Sequence, residues 1–188
     1  MPTMGVALLF SLPTYLTYTI SDEAKLLIYA TLFLNTALIP AFLSYSLVRF
    51  GSIKSLNMTE RAERNLPFML TVFFYFFSYY MLHEYAFAQP LYDVLLGATF
   101  ALILAFIINL KWKISIHAIG IGGIIGALLA ASQLFAISIT PFLIPVLLVA
   151  GLVGFSRLKL NAHNQAQVYA GFVLGFICQY IFMLLQIG

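Results

Sequence analysis

Long apolar segments dominate this sequence and leave few polar residues between them. Hydrophobic residues make up 63% of the 188 positions, and charged residues make up only 8%. A soluble domain carries about 25% charged residues, so these charges are too few to coat a water-facing surface. The sequence therefore predicts an all-α fold, a polytopic bundle of transmembrane helices.

Seven segments are candidates for crossing a bilayer, which takes about 20 apolar residues. They lie at residues 5–20, 26–48, 66–82, 91–110, 115–135, 141–155 and 165–187. The first segment is short and contains Pro13, and we interpret it as a membrane helix because it lacks the basic start of a signal peptide. Residues 1–188 are thus predicted to form one integral membrane domain of about seven helices, with no soluble module.

The remaining composition argues against several kinds of partner and cofactor. The net charge of +3 is small, so we expect no nucleic-acid partner. The lone cysteine, Cys178, cannot form a disulfide framework or a cysteine metal site. We expect no metal and no cofactor, and we expect membrane lipids as partners; the oligomeric state is left open.

The polar residues gather in alternate loops. Because successive helices cross in opposite directions, the loops after the second, fourth and sixth segments fall on one membrane face. These loops hold eight of the nine Lys and Arg residues and two of the three histidines. Three separate polar segments are therefore predicted to converge on one membrane surface.

The third of these polar segments has the most regular spacing. Arg157 is followed by His163, and Gln167 lies four positions further on, so the last two share one helical face. Gly171 and Gly175 continue that ridge, which lets a neighbouring helix pack closely beside it. Charged residues beside a membrane segment are costly and usually functional.

This segment resembles the third signature motif of the type 2 phosphatidic acid phosphatase (PAP2) family. That motif is Ser-Arg, five residues, His, three residues and Asp. Ser156, Arg157 and His163 match it, whereas Gln167 stands at the Asp position. We expect Asn161 to cap the seventh helix, so that His163 lies in the first turn, where backbone N–H groups favour an incoming phosphate.

The other two polar segments resemble the family's remaining motifs less closely. Lys54, six residues and Arg61 resemble the first motif, but the Pro that should follow is missing, and Arg64 is a competing match. Ser115 and His117 are the two residues that match the second motif, Pro-Ser-Gly-His. Taken alone, the first segment is also typical of a basic loop beside the membrane that binds anionic headgroups.

The resemblance covers residues 54–175 and implies a PAP2-like core that hydrolyses lipid phosphates without a metal. It implies that His163 forms a phosphoenzyme and that His117 protonates the leaving oxygen. Gln167 would orient His163 but, unlike Asp, would add no charge. Lys113 is expected at the phosphate although no family motif assigns it. The full set of residues expected to bind the substrate phosphate is Lys54, Arg61, Arg64, Lys113, Ser115 and Arg157.

The sequence leaves alternatives open. The expected lipid substrate carries a polyprenyl, a phosphatidyl or a lipid A group, and these residues are compatible with each of the three. A non-catalytic protein that binds or transports lipid phosphates would need the same cations. A small transporter or channel would instead use the polar residues of the opposite face, which are Asp22, Glu23, His83, Glu84 and Asp93.

Two arguments disagree about which membrane face carries the site. When Lys54, Arg61, Arg64 and Arg157 are left out because they are assigned to chemistry, the basic residues that remain on the site face are Arg49, Lys111, Lys113 and Lys159, against Lys25 opposite. The positive-inside rule then places the site at the cytoplasmic face, whereas the family resemblance implies the outer face. We favour the cytoplasmic face, in a bacterial inner membrane.

Overall fold

The computed structural model describes residues 2–55, 62–85 and 87–186, and every regular element in these ranges is helical. A π-helical turn, Leu34–Leu38, joins α3 to α4, and a 3-10 turn, Ala62–Arg64, leads into α5. The nine α-helices of the described ranges are α1 Pro2–Ser11, α2 Tyr15–Thr19, α3 Asp22–Phe33, α4 Ile39–Arg49, α5 Asn65–His83, α6 Gln89–Asn109, α7 Ile116–Phe135, α8 Thr140–Lys159 and α9 Gln165–Leu185.

Six helical stretches of the described chain are long and apolar enough to cross a membrane. The first of them, Asp22–Arg49, combines α3, the π-helical turn and α4; the second, Ala62–His83, combines the 3-10 turn and α5. The other four are α6, α7, α8 and α9. By length and composition, the predicted all-helical, multi-pass architecture is confirmed.

The first predicted helix, residues 5–20, differs from the structure. Pro13 interrupts it, because proline lacks an N–H donor and its ring clashes with the preceding turn, and two shorter helices, α1 and α2, result. The Thr17 hydroxyl lies 3.0 Å from the carbonyl oxygen of Phe10 and 2.6 Å from that of Leu12, carbonyls near this break. Ten helical residues extend about 15 Å, half of the roughly 30 Å hydrocarbon core. The predicted count of about seven spanning helices is therefore not confirmed: within the described residues six helical stretches have that length, and α1 is shorter.

Helices α7 and α9 pack backbone against backbone. Gly122 and Gly126 of α7, with Gly171 and Gly175 of α9, leave no room for side chains between them. A Cβ atom added to Gly171 would lie 2.7 Å from the carbonyl oxygen of Ser115. The close packing predicted for the α9 ridge is thus confirmed, and it brings the first turns of α7 and α9 side by side.

The remaining helices surround this pair. Helix α6 packs on α9 and α5, and more than half of its most apolar stretch is buried. Helix α8 lies at the outside, with 17% of the corresponding stretch buried. Helices α4, α6 and α8 end, and α5, α7 and α9 begin, at the same end of the bundle, which is where the three polar segments lie.

Candidate anion site at one end of the bundle

The link between α8 and α9 is a tight turn that joins Arg157 to His163. Asn161 adopts the left-handed conformation, with φ +49°, which asparagine tolerates better than most residues. The backbone N–H groups of Ala162 and His163 both donate to the carbonyl oxygen of Arg157, at 3.1 and 3.4 Å. The Arg and the His of this segment are therefore held in a fixed relation through the main chain.

Helix α9 is capped by Asn164. Its side-chain oxygen accepts from the backbone N–H of Gln167 at 2.9 Å, and the Gln167 carbonyl oxygen Oε1 accepts from the backbone N–H of Asn164 at 3.3 Å. This reciprocal pair is a capping box. The prediction that Asn161 caps α9 is wrong, because Asn161 instead ends α8; His163 consequently precedes the helix. The three-residue spacing of Asn164 and Gln167 is typical of a capping box, and it could have identified the correct cap from the sequence.

Gln167 also fixes the tautomer of His163. Its Oε1 lies 3.1 Å from His163 Nδ1. The same oxygen accepts from the Asn164 backbone, whose N–H can only donate, so this atom is the amide oxygen and Nδ1 must carry a proton. The other ring nitrogen, Nε2, is then left with a lone pair, which is the form required of a nucleophile.

The electrostatic surroundings keep His163 neutral. Burial lowers the pKa of its imidazole to about 4, and the positive charges of Arg64, Lys113 and Arg157 act in the same direction; the hydrogen bond to Gln167 opposes them. At neutral pH the ring is therefore unprotonated at Nε2. The three cations that act on it come from the three different polar segments.

These three cations are themselves buried or partly buried. Arg64, in the 3-10 turn before α5, is only 9% exposed. Burial, and then the charge of Arg64, lower the pKa of Lys113. Arg157 Nε is buried and has no hydrogen-bond partner among the described residues. A group of partly buried cations that includes such a donor is suited to binding an anion.

The second polar segment is tied directly to the third. Ser115 is fully buried and caps α7, its hydroxyl oxygen accepting from the amide three residues on at 3.4 Å. Its own backbone N–H donates to the carbonyl oxygen of Gln167, also at 3.4 Å. His117 lies in the first turn of α7, is more than a third exposed, and interacts electrostatically with Arg157 and Arg64.

Arg64 connects the first polar segment to the anion site. Lys54 is exposed, and its backbone N–H donates to Glu63 Oε1 at 3.0 Å. Arg61 lies outside the described residues. Arg64, the competing match for the first motif, acts electrostatically on both His117 and His163.

Two asparagines lie beside Arg64 and help to position it, although the sequence analysis did not identify them. Asn65 begins α5 directly after Arg64, and its side-chain oxygen accepts from Asn109 Nδ2 at 3.2 Å. Asn109 ends α6 and is fully buried. A buried amide at the end of an apolar helix is costly unless it is hydrogen-bonded. An Asn at the end of such a helix could therefore have indicated a hydrogen-bonded partner from the sequence alone.

The opposite end of the bundle is organised differently. Asp22 pairs with Lys25 at 3.0 Å, and buried Asp93 accepts from Gln89 at 3.4 Å. His83 packs against the ring of Tyr92. Across residues 2–55, 62–85 and 87–186, no three His, Cys, Asp or Glu side chains are grouped so that they could hold a metal ion.

Comparison with known proteins adds no further assignment. No protein-family model, no curated protein and no solved structure matches the chain.

Proposed function

We propose that this protein is an integral membrane phosphatase that hydrolyses a phosphomonoester or pyrophosphate on a lipid, in a bacterial inner membrane. The observation that carries the proposal is the position of His163. Its Nδ1 hydrogen bond to Gln167 leaves Nε2 with a lone pair, and the cations of three separate segments surround it. The resemblance to the PAP2 family likewise implies that His163 and Arg157 take part in phosphoryl transfer.

In the proposed reaction, Arg64, Lys113 and Arg157 bind the oxygens of the phosphate. His163 Nε2 attacks the terminal phosphorus, and the bond from that phosphorus to the leaving oxygen breaks while His117 donates a proton to this oxygen. The leaving oxygen belongs to the lipid alcohol in a phosphomonoester and to the lipid monophosphate in a pyrophosphate. Water then attacks the phosphohistidine and releases inorganic phosphate. The positive charges offset the negative charge that spreads over the equatorial oxygens in the transition state.

The test is phosphate release by the purified protein in detergent, with a chelator present, from prenyl pyrophosphates and from phosphatidic acid. A radiolabelled terminal phosphate should transfer to the protein and show the acid lability of phosphohistidine. The His163→Ala variant should carry no label. Absence of phosphate release and of label from every lipid phosphate would contradict the proposal.

The second candidate is a protein that binds or transports lipid phosphates on the same scaffold without cleaving them. Gln167 favours it, because an amide cannot neutralise the imidazolium charge that an Asp would offset. Such a protein would bind a lipid phosphate in a way that depends on Arg64 and Arg157 while releasing no phosphate. The same assay, paired with a binding measurement, separates the two functions.

A further inference from the structure

A cavity of about 500 Å³ inside the bundle begins at His117. It lies between α1, the π-helical turn, α4, α5, α6, α7 and α9, and its walls are mainly apolar. Along α7 it extends from His117 to Ala127. Ten helical residues rise about 15 Å, which is half of the roughly 30 Å hydrocarbon core of a bilayer. The cavity therefore reaches from the anion site to about the middle of the membrane.

The position of His117 links this cavity to the reaction. A general acid must contact the oxygen that it protonates. In a lipid monophosphate that oxygen is bonded to the lipid, and in a lipid pyrophosphate one phosphate group lies between them. The lipid portion of the substrate therefore begins beside His117 or one phosphate group away from it. Because His117 is itself part of the cavity wall, the apolar space directly below it is the nearest place for a hydrocarbon chain.

The size of the cavity limits what it can hold. Ligand pockets are typically about 300–1,000 Å³, so this cavity is large enough to hold a hydrocarbon chain. One chain of a lipid can occupy it, whereas the second chain of a glycerophospholipid would have to lie outside it, in the surrounding bilayer. The small residues Ala98, Gly120 and Gly123 line the space and keep it open.

The cavity also opens sideways. Met4 of α1 and Phe33 at the end of α3 line it, yet they are 55% and 52% exposed. Ala37 and Ala41, on the next turns, line it and are exposed too. A chain can therefore enter from the surrounding lipid between α1 and the α3–α4 stretch, without passing through the charged end of the bundle.

We propose that this cavity holds the hydrocarbon chain of the substrate and that it selects lipid phosphates with a single chain, such as prenyl phosphates, over two-chain phosphatidic acid. The inference rests on the proposed phosphatase function. Helices α1, α3 and α4 form part of the cavity wall, and they lie outside the stretch that resembles PAP2 phosphatases.

The test fills the cavity and leaves the anion site intact. A Cβ atom on Gly123 would make only ordinary contacts, 3.6 Å to the Gly175 carbonyl oxygen and 3.9 Å to Gln179 Cβ, so Gly123→Leu directs its added bulk into the free space. The matched control is Gly151→Leu on α8, where nothing lies within 4 Å. Gly151 lines a separate apolar groove between α8 and α9.

The substrates are farnesyl pyrophosphate, dimethylallyl pyrophosphate and phosphatidic acid. The parent should prefer the farnesyl compound to the other two in kcat/KM. Gly123→Leu should lower kcat/KM for farnesyl pyrophosphate by about tenfold or more, because the chain is displaced from its apolar walls. It should leave dimethylallyl pyrophosphate nearly unaffected, and Gly151→Leu should match the parent on both.

A second readout does not depend on turnover. A farnesyl phosphate analogue with a photoreactive diazirine at the end of the chain should label residues of α1, α5 and α7 that line the cavity in the parent protein. Labelling confined to the groove between α8 and α9, or to the outer surface, would overturn the inference. This experiment decides the question even when Gly123→Leu fails to fold.

The two proposals fail in different ways. If the parent releases phosphate from no substrate, the proposed phosphatase function is wrong, and the proposed site for the substrate chain is wrong as well. If the parent cleaves dimethylallyl and farnesyl pyrophosphate but Gly123→Leu does not discriminate between them, the chain site alone is wrong. Equal or faster cleavage of phosphatidic acid would likewise overturn the single-chain selectivity.

Discussion

Gln167 performs two tasks that explain its presence next to His163. Its side chain reaches back to the Asn164 backbone to complete the capping box, and the same oxygen holds His163 Nδ1. An aspartate is one methylene shorter, and a capping box normally uses Glu or Gln at this position. The amide therefore supplies orientation and helix capping together, but it supplies no charge.

Replacing Gln167 by Glu should keep this geometry and add the missing charge. A carboxylate beside the ring stabilises the imidazolium, so the pKa of His163 should rise from about 4. Charge-assisted hydrogen bonds are roughly twice as strong as neutral ones, and a gain on the order of 1 kcal/mol corresponds to about fivefold faster turnover. Initial rates of phosphate release at neutral pH measure the change.

The pH profile gives an independent check on the same variant. Only unprotonated His163 can attack, so kcat/KM of the parent should fall as the pH drops through about 4, and the falling limb should move to higher pH in Gln167→Glu. Comparing both proteins on one substrate cancels the titration of the substrate itself. An unshifted acidic limb in a folded Gln167→Glu variant would mean that His163 is not the titrating nucleophile.

The two histidines should respond differently to removal. His163→Ala abolishes the covalent route, so turnover should be lost with every substrate. His117→Ala removes a general acid, which typically contributes about 10²–10⁴-fold, and the loss should be largest for substrates with poor leaving groups. Rates with an alkyl phosphate and a nitrophenyl phosphate separate these effects. Equal losses for both leaving groups in His117→Ala would contradict its assignment.

At the scale of the helices, stability depends on the backbone contact between α7 and α9. A Cβ atom on Gly175 would overlap the carbonyl group of Ile119, and a helix backbone cannot move aside as a side chain can. Gly175→Ala should therefore destabilise the protein by about 1–3 kcal/mol. Thermal unfolding in detergent measures this.

The control for that substitution is Gly151→Ala on α8, which meets nothing within 4 Å. It should leave the midpoint unchanged or raise it slightly, because Ala favours helix over Gly. A midpoint for Gly175→Ala as high as that of Gly151→Ala would contradict the close approach of α7 and α9.

The sequence predicted the long helices well because each is bounded by polar residues and filled with apolar ones. The glycine spacing at Gly171 and Gly175 also identified a face of close packing correctly. The ends of the helices were harder to predict. Asn161 and Asn164 are both good capping residues, and the choice between them depends on the left-handed turn that ends α8 and on the partner at Gln167. Such a choice follows from backbone conformation, which composition does not determine.

At the scale of the whole molecule, the basic residues predict which side of the membrane carries the site. Without Lys54, Arg61, Arg64 and Arg157, which are assigned to chemistry, the loops of the site face keep four basic residues against Lys25 on the opposite face, and the positive-inside rule then predicts a cytoplasmic site. Helix α9 starts at the site face, so a reporter fused after it should be external. A phosphatase reporter and a fluorescent reporter on the same fusion point measure both outcomes, and a cytoplasmic carboxyl end would place the site on the outer face.

The sequence predicted that three polar segments meet at one end of the bundle, and the structure brings Arg64, Lys113, His117, Arg157 and His163 to that end. It left Arg61 and Arg64 as competing matches to a motif of loose spacing, and Arg61 lies outside the described residues. It also gave no sign of the cavity below His117. That space depends on which helices pack beside the start of α1, and this does not follow from hydropathy alone.

The turn that joins α8 to α9 has a consequence for motion. The Arg157 carbonyl oxygen accepts from the backbone amides of both Ala162 and His163. The main chain of the turn is therefore held against the last turn of α8. The amide hydrogens of Ala162 and His163 should accordingly exchange with deuterium slowly, at rates typical of helix interiors and not of loops.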